Sequence, residues 1–161
     1  MEIRILHDGD EPVLDRVAAD VFDHPIDRHA AREFLGDPRH RLAVATDDGV
    51  VVGFVSGVVY VHPDKPTPEL WINEVGVAQS HQGRGIARRL LESALEDARA
   101  SGCREAWVLT DRSNQPAMRL YESGGGEASG DHVMFTFRLN GDDSRSSRSG
   151  AAAPDPTPVK P

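Results

Sequence analysis

Chemistry in this chain concentrates in the hexapeptide Gln82-Gly83-Arg84-Gly85-Ile86-Ala87. Its two glycines leave backbone N–H groups bare, and Arg84 places a positive charge between them. Downstream, Ile86, Leu90, Leu91, Ala94, Leu95 and Ala98 recur at the spacing of one helical face. Amides gathered where a helix begins meet the positive end of its dipole, so the loop suits a phosphate. Upstream, Leu70, Ile72, Val75 and Val77 are strand formers, and Gly76 interrupts them where backbone can approach a ligand. Strand, amide-rich loop and helix together read as a phosphate-binding unit.

Two common phosphate signatures are absent. A Walker loop ends in Gly-Lys-Ser/Thr, and no such triplet occurs. A dinucleotide loop needs glycine or alanine where Arg88 stands. Just before the loop, Glu74 lies between Ile72 and Val75 at a strand end. A charge in such a setting suits a proton acceptor, and equally a salt-bridged surface glutamate. Cys103, the single cysteine, precedes an apolar strand at a helix end that disfavours a thiolate; it reads as structural and excludes an internal disulfide.

The elements that must position these residues follow from periodicity and turn chemistry. Residues 2–7 alternate as a first strand. Asp10, Glu11 and Pro12 predict a helix start, with Val13, Leu14, Val17, Ala18 and Val21 as its apolar stripe. Asp27 predicts the cap of a second short helix that ends at Gly36-Asp37-Pro38. Residues 41–46 and 50–61 form strands around the turn Asp47-Asp48-Gly49, and the second, apolar on both faces, should be central. Residues 70–77 and 105–110 are further strands, a helix carries Asn114 to Tyr121, and residues 133–139 alternate as a last strand. From Gly141 the composition turns to Asp, Ser, Arg, Ala and Pro, which divides the chain into a domain at 1–140 and a disordered tail at 141–161.

With 161 residues and a net charge of −8, the chain is one folded domain that disfavours nucleic acid and tolerates a cationic partner. No apolar run is long enough for a membrane span, no leader pattern opens the chain, and no Cys/His metal cluster is evident. A cytoplasmic setting is expected.

Read as Q/R-x-x-G-x-G/A, residues Gln82 to Ala87 resemble the pyrophosphate-binding motif of the GNAT superfamily of N-acetyltransferases, which bind acetyl-coenzyme A (acetyl-CoA). Asn114-x-x-Ala117-x-x-x-Tyr121 resembles a second segment of that family, in the right order on the right element. The resemblance spans residues 3–139. It implies an α/β fold of the GNAT acyl-CoA N-acyltransferase type: a mixed, mostly antiparallel central sheet flanked by helices. It further implies acetyl transfer to an amine, with Gln82, Gly83, Arg84, Gly85, Ile86 and Ala87 on the pyrophosphate and the backbone of Val75, Gly76 and Val77 on the pantetheine arm. Asn114 and Ala117 would lie near the thiol end. Glu74 becomes the general base and Tyr121 the acid that protonates the thiolate, against the plainer role of a core tyrosine.

A narrower likeness runs through residues 72–77, 81–87, 120–121 and 133–137, which look like the aminoglycoside 3-N-acetyltransferases of type I. There, acidic residues meet a polycationic drug, and Asp23, Asp27, Glu127 and Asp131 join Glu74 as candidate substrate ligands. The partner implied is a small cationic amine. A polyamine, amino acid or peptide amine is the alternative acceptor, and a non-catalytic acyl-CoA sensor the alternative class. A homodimer is compatible with the family, although no stretch announces an interface. Ser123-Gly124-Gly125-Gly126 departs from the family's Gly-Phe, which loosens the expected acceptor wall, and His132 is a lesser candidate for that wall. His81, beside the loop, is expected to be solvated.

Overall fold

The computed structural model describes residues 1–128, 130 and 133–137. Five strands form one sheet in sequence order: β1 (Glu2–Leu6), β2 (His40–Asp47), β3 (Val50–Tyr60), β4 (Glu69–Val77) and β5 (Glu105–Val108). The first four pair antiparallel, and β5 joins β4 in parallel. This is the expected mixed, mostly antiparallel sheet. β3 sits at its centre with Val51, Val52, Phe54 and Val55 buried, as a strand apolar on both faces requires. At the β2–β3 turn, Asp48 and Gly49 take φ of 49° and 72°, the left-handed pair that a two-residue hairpin demands.

Each face of the sheet has its own cover. Helix α2 (Ile86–Ala100) lies on one, burying Ile86, Leu90, Leu91, Ala94 and Ala98 along the stripe its spacing predicts. A Cβ added to Gly53 would meet Leu90 Cδ1 and Val77 Cγ2, each at 3.2 Å, so strand and helix approach closely there. Helix α1 (Arg28–Gly36) and the chain leading to it cover the other face, where Phe22 stacks on Phe54 with centroids 4.0 Å apart. Asp27 caps α1 as expected, its Oδ1 accepting from the N–H of His29 at 2.8 Å and of Ala30 at 2.9 Å. Helix α3 (Gln115–Ser123) follows β5.

The β3–β4 register slips between Ser56 and Gly57: Ser56 pairs with Glu74 while Gly57 pairs with Ile72. Asn73 is therefore the extra residue of a bulge. By plain alternation Ile72 and Glu74 would share a face. Instead Ile72 is buried in the core, and Glu74 turns to the α1 face beside Phe54 and Ser56.

At the start of β4 the sheet is held shut. Trp107 Nε1 donates to the Tyr60 hydroxyl at 2.6 Å, and that hydroxyl donates to Glu69 Oε2 at 2.7 Å. Lys65 pairs with the other Glu69 oxygen, and Trp71 stacks on Trp107 at 5.1 Å. Glu69 is buried yet fully engaged, and the Lys65 and Tyr60 hydrogen bonds hold its carboxyl below the usual range.

Three expectations are corrected. Residues 10–21 do not form one helix: a 3₁₀ turn spans Glu11–Asp15, and Val17 then bridges Val51 in parallel. Asp10, the supposed cap, instead accepts from Arg4 Nη2 and the His7 N–H, so a turn-forming side chain outcompetes the helix start. The strand after α2 stops at Val108 rather than residue 110 and is only half-buried. Residues 133–137 form no strand, and Val133, Met134, Phe135 and Phe137 are exposed; alternation alone supplies no partner edge. Residues 138–139 and the tail at 141–161 lie outside the described residues. No helix among the described residues is long and apolar enough to cross a membrane.

Gly76 offers the sharpest test of this packing. A Cβ there would stand 2.6 Å from Phe54 Cε1 and 2.7 Å from the Val21 carbonyl oxygen, and the carbonyl cannot swing away. Gly76→Ala should cost about 1–3 kcal/mol in urea unfolding, the usual penalty of overpacking.

Candidate active site

The site begins where β4 and β5 part. Their parallel pairing runs from Glu69 opposite Glu105 to Ile72 opposite Val108 and stops there. β4 continues to Val77, so from Asn73 to Val77 its β5-side edge carries no neighbouring strand among the described residues. Backbone groups on such an edge need water or an extended ligand to bond. The side chains of Val75 and Val77 are buried and Gly76 has none, so this segment can offer a ligand only its main chain.

The glycine loop closes one end of this opening. Gly83 and Gly85 take φ of 72° and 73°, a region that L side chains rarely adopt. Nothing lies within 4 Å of where their Cβ atoms would stand, so the space above the loop is open. None of the N–H groups of residues 83–88 is committed to a backbone carbonyl; the first bond of α2 is Arg89 N–H to the Gly85 carbonyl. Arg84 is exposed beside them, and Ile86, whose side chain is buried, contributes only its N–H. Gln82 ties the loop to the sheet, its Nε2 donating to the Val77 carbonyl at 3.2 Å. His81 is not solvated as expected: it lies between Ser80 Oγ at 2.8 Å and Asp47 Oδ2 at 3.3 Å, bracing the loop against the β2–β3 turn.

Helix α3 places Tyr121 half-buried against the core, with a hydroxyl that is sealed from solvent and has no hydrogen-bond partner. Thr110 Oγ1, past the end of β5, is another buried hydroxyl without a partner. Orphaned hydroxyls are costly, and a ligand between the parted strands is one way to satisfy them. Burial pushes the Tyr121 phenol up to about 12, so it stays protonated and able to donate at neutral pH. Asn114 is the N-cap of α3, its Oδ1 accepting from the Ala117 N–H at 3.2 Å. Ala117, behind that cap, is buried. The shared motif is at least partly a helix-capping device. Gly124 packs closely on α2, where a Cβ would press to 3.0 Å from Leu91 Cδ2.

On the α1 face lies a cavity of about 340 Å³ whose floor is Leu42, Phe54, Ser56 and Glu74. Its far wall is α1, through Ala30, Ala31, Phe34 and Leu35, and its mouth opens at Pro25 and Ile26. Glu74, half-buried, is its innermost carboxylate, and Asp27 stands at its edge. Asp23 and Glu127 are exposed and do not line it, while Asp131 and His132 lie outside the described residues. Ser56, Phe22 and Phe34 are site residues that the sequence reading missed. No local signal marked them: Phe54 and Ser56 share a face with Gly76 and Glu74 only once the strands are paired. Cys103 is buried, and desolvation raises its thiol, in keeping with a structural role. Among the described residues no cluster of His, Cys, Asp or Glu is arranged to hold a metal ion.

The family model for the Acetyltransferase (GNAT) family matches residues 10–125. N-acetyltransferase 8 of Rattus norvegicus is 29% identical over 103 residues, covering 64% of this chain and 46% of the relative. A mycothiol acetyltransferase of Thermomonospora curvata is 42% identical over 82 residues, covering 51% of this chain and 26% of the relative. The chain thus spans less than half the length of these two relatives. Among solved structures, an aminoglycoside acetyltransferase from an uncultured soil metagenomic sample, in complex with sisomicin, superposes with a TM-score of 0.74. It is 22% identical, with 86% of this chain and 96% of that one covered, a likeness of fold.

The raised Tyr121 value fixes a pH effect. Its folded value lies above the ordinary 10, so the stabilisation is whole below pH 10 and is lost as pH rises toward 12. Tyr121→Phe should reduce that loss in denaturant titrations across pH 10–12, with the remainder shared among Tyr60, Cys103 and Lys65, whose values are raised as well.

Proposed function

The chain belongs to the GNAT family of acetyltransferases, and on that premise we propose that it transfers the acetyl group of acetyl-CoA to a primary amine of a small cationic substrate. The observation that carries this reading is the meeting of Glu74, the open β4 edge and the glycine loop at one end of one strand. The residues fit the donor: the loop leaves room and uncommitted amides for a diphosphate, and the parted strands leave backbone groups for an extended arm. When bound, the thioester supplies an activated acyl carbon and a thiolate leaving group.

The protein's own residues divide the remaining work. The amides of residues 83–88 and Arg84 hold the negative end. A backbone N–H of residues 75–77 polarises the acyl carbonyl. An amine reaches the site as an ammonium, and Glu74 takes one proton so that the nitrogen lone pair can attack. As the C–N bond forms and the C–S bond breaks, Tyr121 gives its proton to the sulfur, and the second proton that the nitrogen sheds on becoming an amide passes through solvent and restores the phenol. The phenol is protonated at neutral pH and so has a proton to give.

An aminoglycoside acetylated at its 3-N position is the acceptor that the narrower sequence likeness suggests, and an enzyme crystallised with sisomicin shares the fold; the lining of the cavity, taken up below, favours a different amine. Polyamine, amino acid and peptide amines use the same chemistry, and a sensor would bind acetyl-CoA without turnover. Thiol release from acetyl-CoA against gentamicin-like and kanamycin-like drugs, spermidine, amino acids and a peptide separates them. With whichever amine is turned over, Glu74→Gln should lower kcat by about 10²–10⁴ at neutral pH while acetyl-CoA affinity holds. Unchanged kcat would remove Glu74 from the mechanism.

A further inference from the structure

We infer that the acceptor is a monoamine with an apolar body, such as an arylalkyl or branched alkyl amine, rather than a polycation or a zwitterion. This rests on the α1-face cavity being the acceptor site of the transfer proposed above. Three features of that cavity carry the inference: its size, its lining and its carboxylate count.

A void of about 340 Å³ far exceeds the gaps that native cores leave, and it lies at the small end of the range for ligand pockets, about 300–1,000 Å³. It opens to solvent beside Ala30, which is exposed, and ends at Glu74. Between these ends the surface is hydrocarbon: Leu14, Phe22, Ile26, Phe34, Leu42 and Phe54. Ser56 is its single uncharged polar side chain. Such a lining is poorly satisfied by water and well satisfied by an apolar ligand.

Charge narrows the class further. Only Glu74 and Asp27 among the lining residues are acidic, and Asp27 already accepts two N–H groups as the cap of α1. A substrate with three or four ammonium groups would set at least one of them against Phe34 or Leu14, with no counter-charge to offset its desolvation. Among the described residues no Arg, Lys or His lines the cavity, so the carboxylate of a free amino acid would be equally unpaired. One ammonium at Glu74 and a hydrocarbon body along α1 leaves no charge stranded. Each methylene buried should strengthen binding about three- to fourfold.

The test uses the full chain and measures thiol release from acetyl-CoA with ethylamine, butylamine, hexylamine, phenethylamine, spermidine and kanamycin. Alongside it, calorimetry follows phenethylamine binding in the presence of coenzyme A. The expected result is kcat/KM rising severalfold from each amine to the next in the alkyl series, with phenethylamine at least tenfold above spermidine and kanamycin. Ala30→Glu adds a carboxylate at the cavity mouth, on an exposed position in the first turn of α1 where an acid suits the helix. It should lower kcat/KM for phenethylamine at least fivefold and raise it for spermidine, with the KM for acetyl-CoA unchanged. Ala30→Leu, which crowds the mouth without charge, should lower the phenethylamine value and leave spermidine no better.

A flat alkyl series, or polycations as the best acceptors, overturns the inference while leaving the transferase reading intact. If no amine releases thiol, the transferase reading fails and calorimetry decides this one. Phenethylamine binding that Ala30→Glu weakens supports the cavity's assignment, and no binding overturns it.

Discussion

The structure depends on one strand being paired along only part of one edge. β4 is bonded to β5 through Ile72 and then runs on without a neighbour on that side. Every main-chain group released there has to find a partner outside the sheet. Such an edge is normally a hazard, an invitation to pair with any passing strand. Here it is short and recessed between elements that restrict what can reach it. The Trp107–Tyr60–Glu69–Lys65 chain keeps the other end of the strands together, so the parting is confined to one place. Breadth at one end is possible because the other is riveted.

Around that parting the sheet divides its labour between two faces. On the α2 face, Val75 and Val77 pack under the helix whose first turn carries the glycine loop, so the backbone edge and the anion-binding amides belong to one rigid unit. On the α1 face, Phe54, Ser56 and Glu74 look into the cavity. The strand is thin at the boundary because Gly76 lets Phe54 and the Val21 carbonyl come within what would be Cβ distance. Donor and acceptor sides of the proposed reaction are thereby separated by little more than one backbone.

Much of this was legible in the sequence. Glycines at 83 and 85 ahead of an amphipathic helix announced the loop, because positive φ and bare amides leave few alternatives. The capping carboxylate of Asp27 and the two-residue turn at Asp48-Gly49 were equally local, and local chemistry is what a sequence displays best. Expectations failed where tertiary partners decide. The stripe from Val13 to Val21 suits a helix, yet Val17 finds a better partner in Val51 across the sheet. The cavity was invisible because its walls come from segments far apart in the chain, and a residue such as Ser56 signals nothing until Glu74 lies opposite it. For Asn114 the sequence suggested a ligand contact, and the structure adds that its oxygen holds the first turn of α3.

The bulge at Asn73 has a consequence for how such a strand can vary over time. Glu74 faces the cavity, and Ile72 faces the core, only because one residue is out of step between them. Exchange of Asn73 for another residue leaves that count intact, and the lineage can explore many side chains there. Loss of the Asn73 codon would leave the facing intact as well: Glu74 would follow Ile72 directly, and plain alternation sets neighbours on opposite faces. What would go is the kink and extra twist that a bulge gives a strand, at the point where β4 leaves β5. A codon lost between Glu74 and Val77 is a different event, because Val77 would turn from beneath α2 to the α1 face. Beyond the bulge, length is therefore more constrained than identity, and insertions and deletions should be purged there while changes at Asn73 itself accumulate.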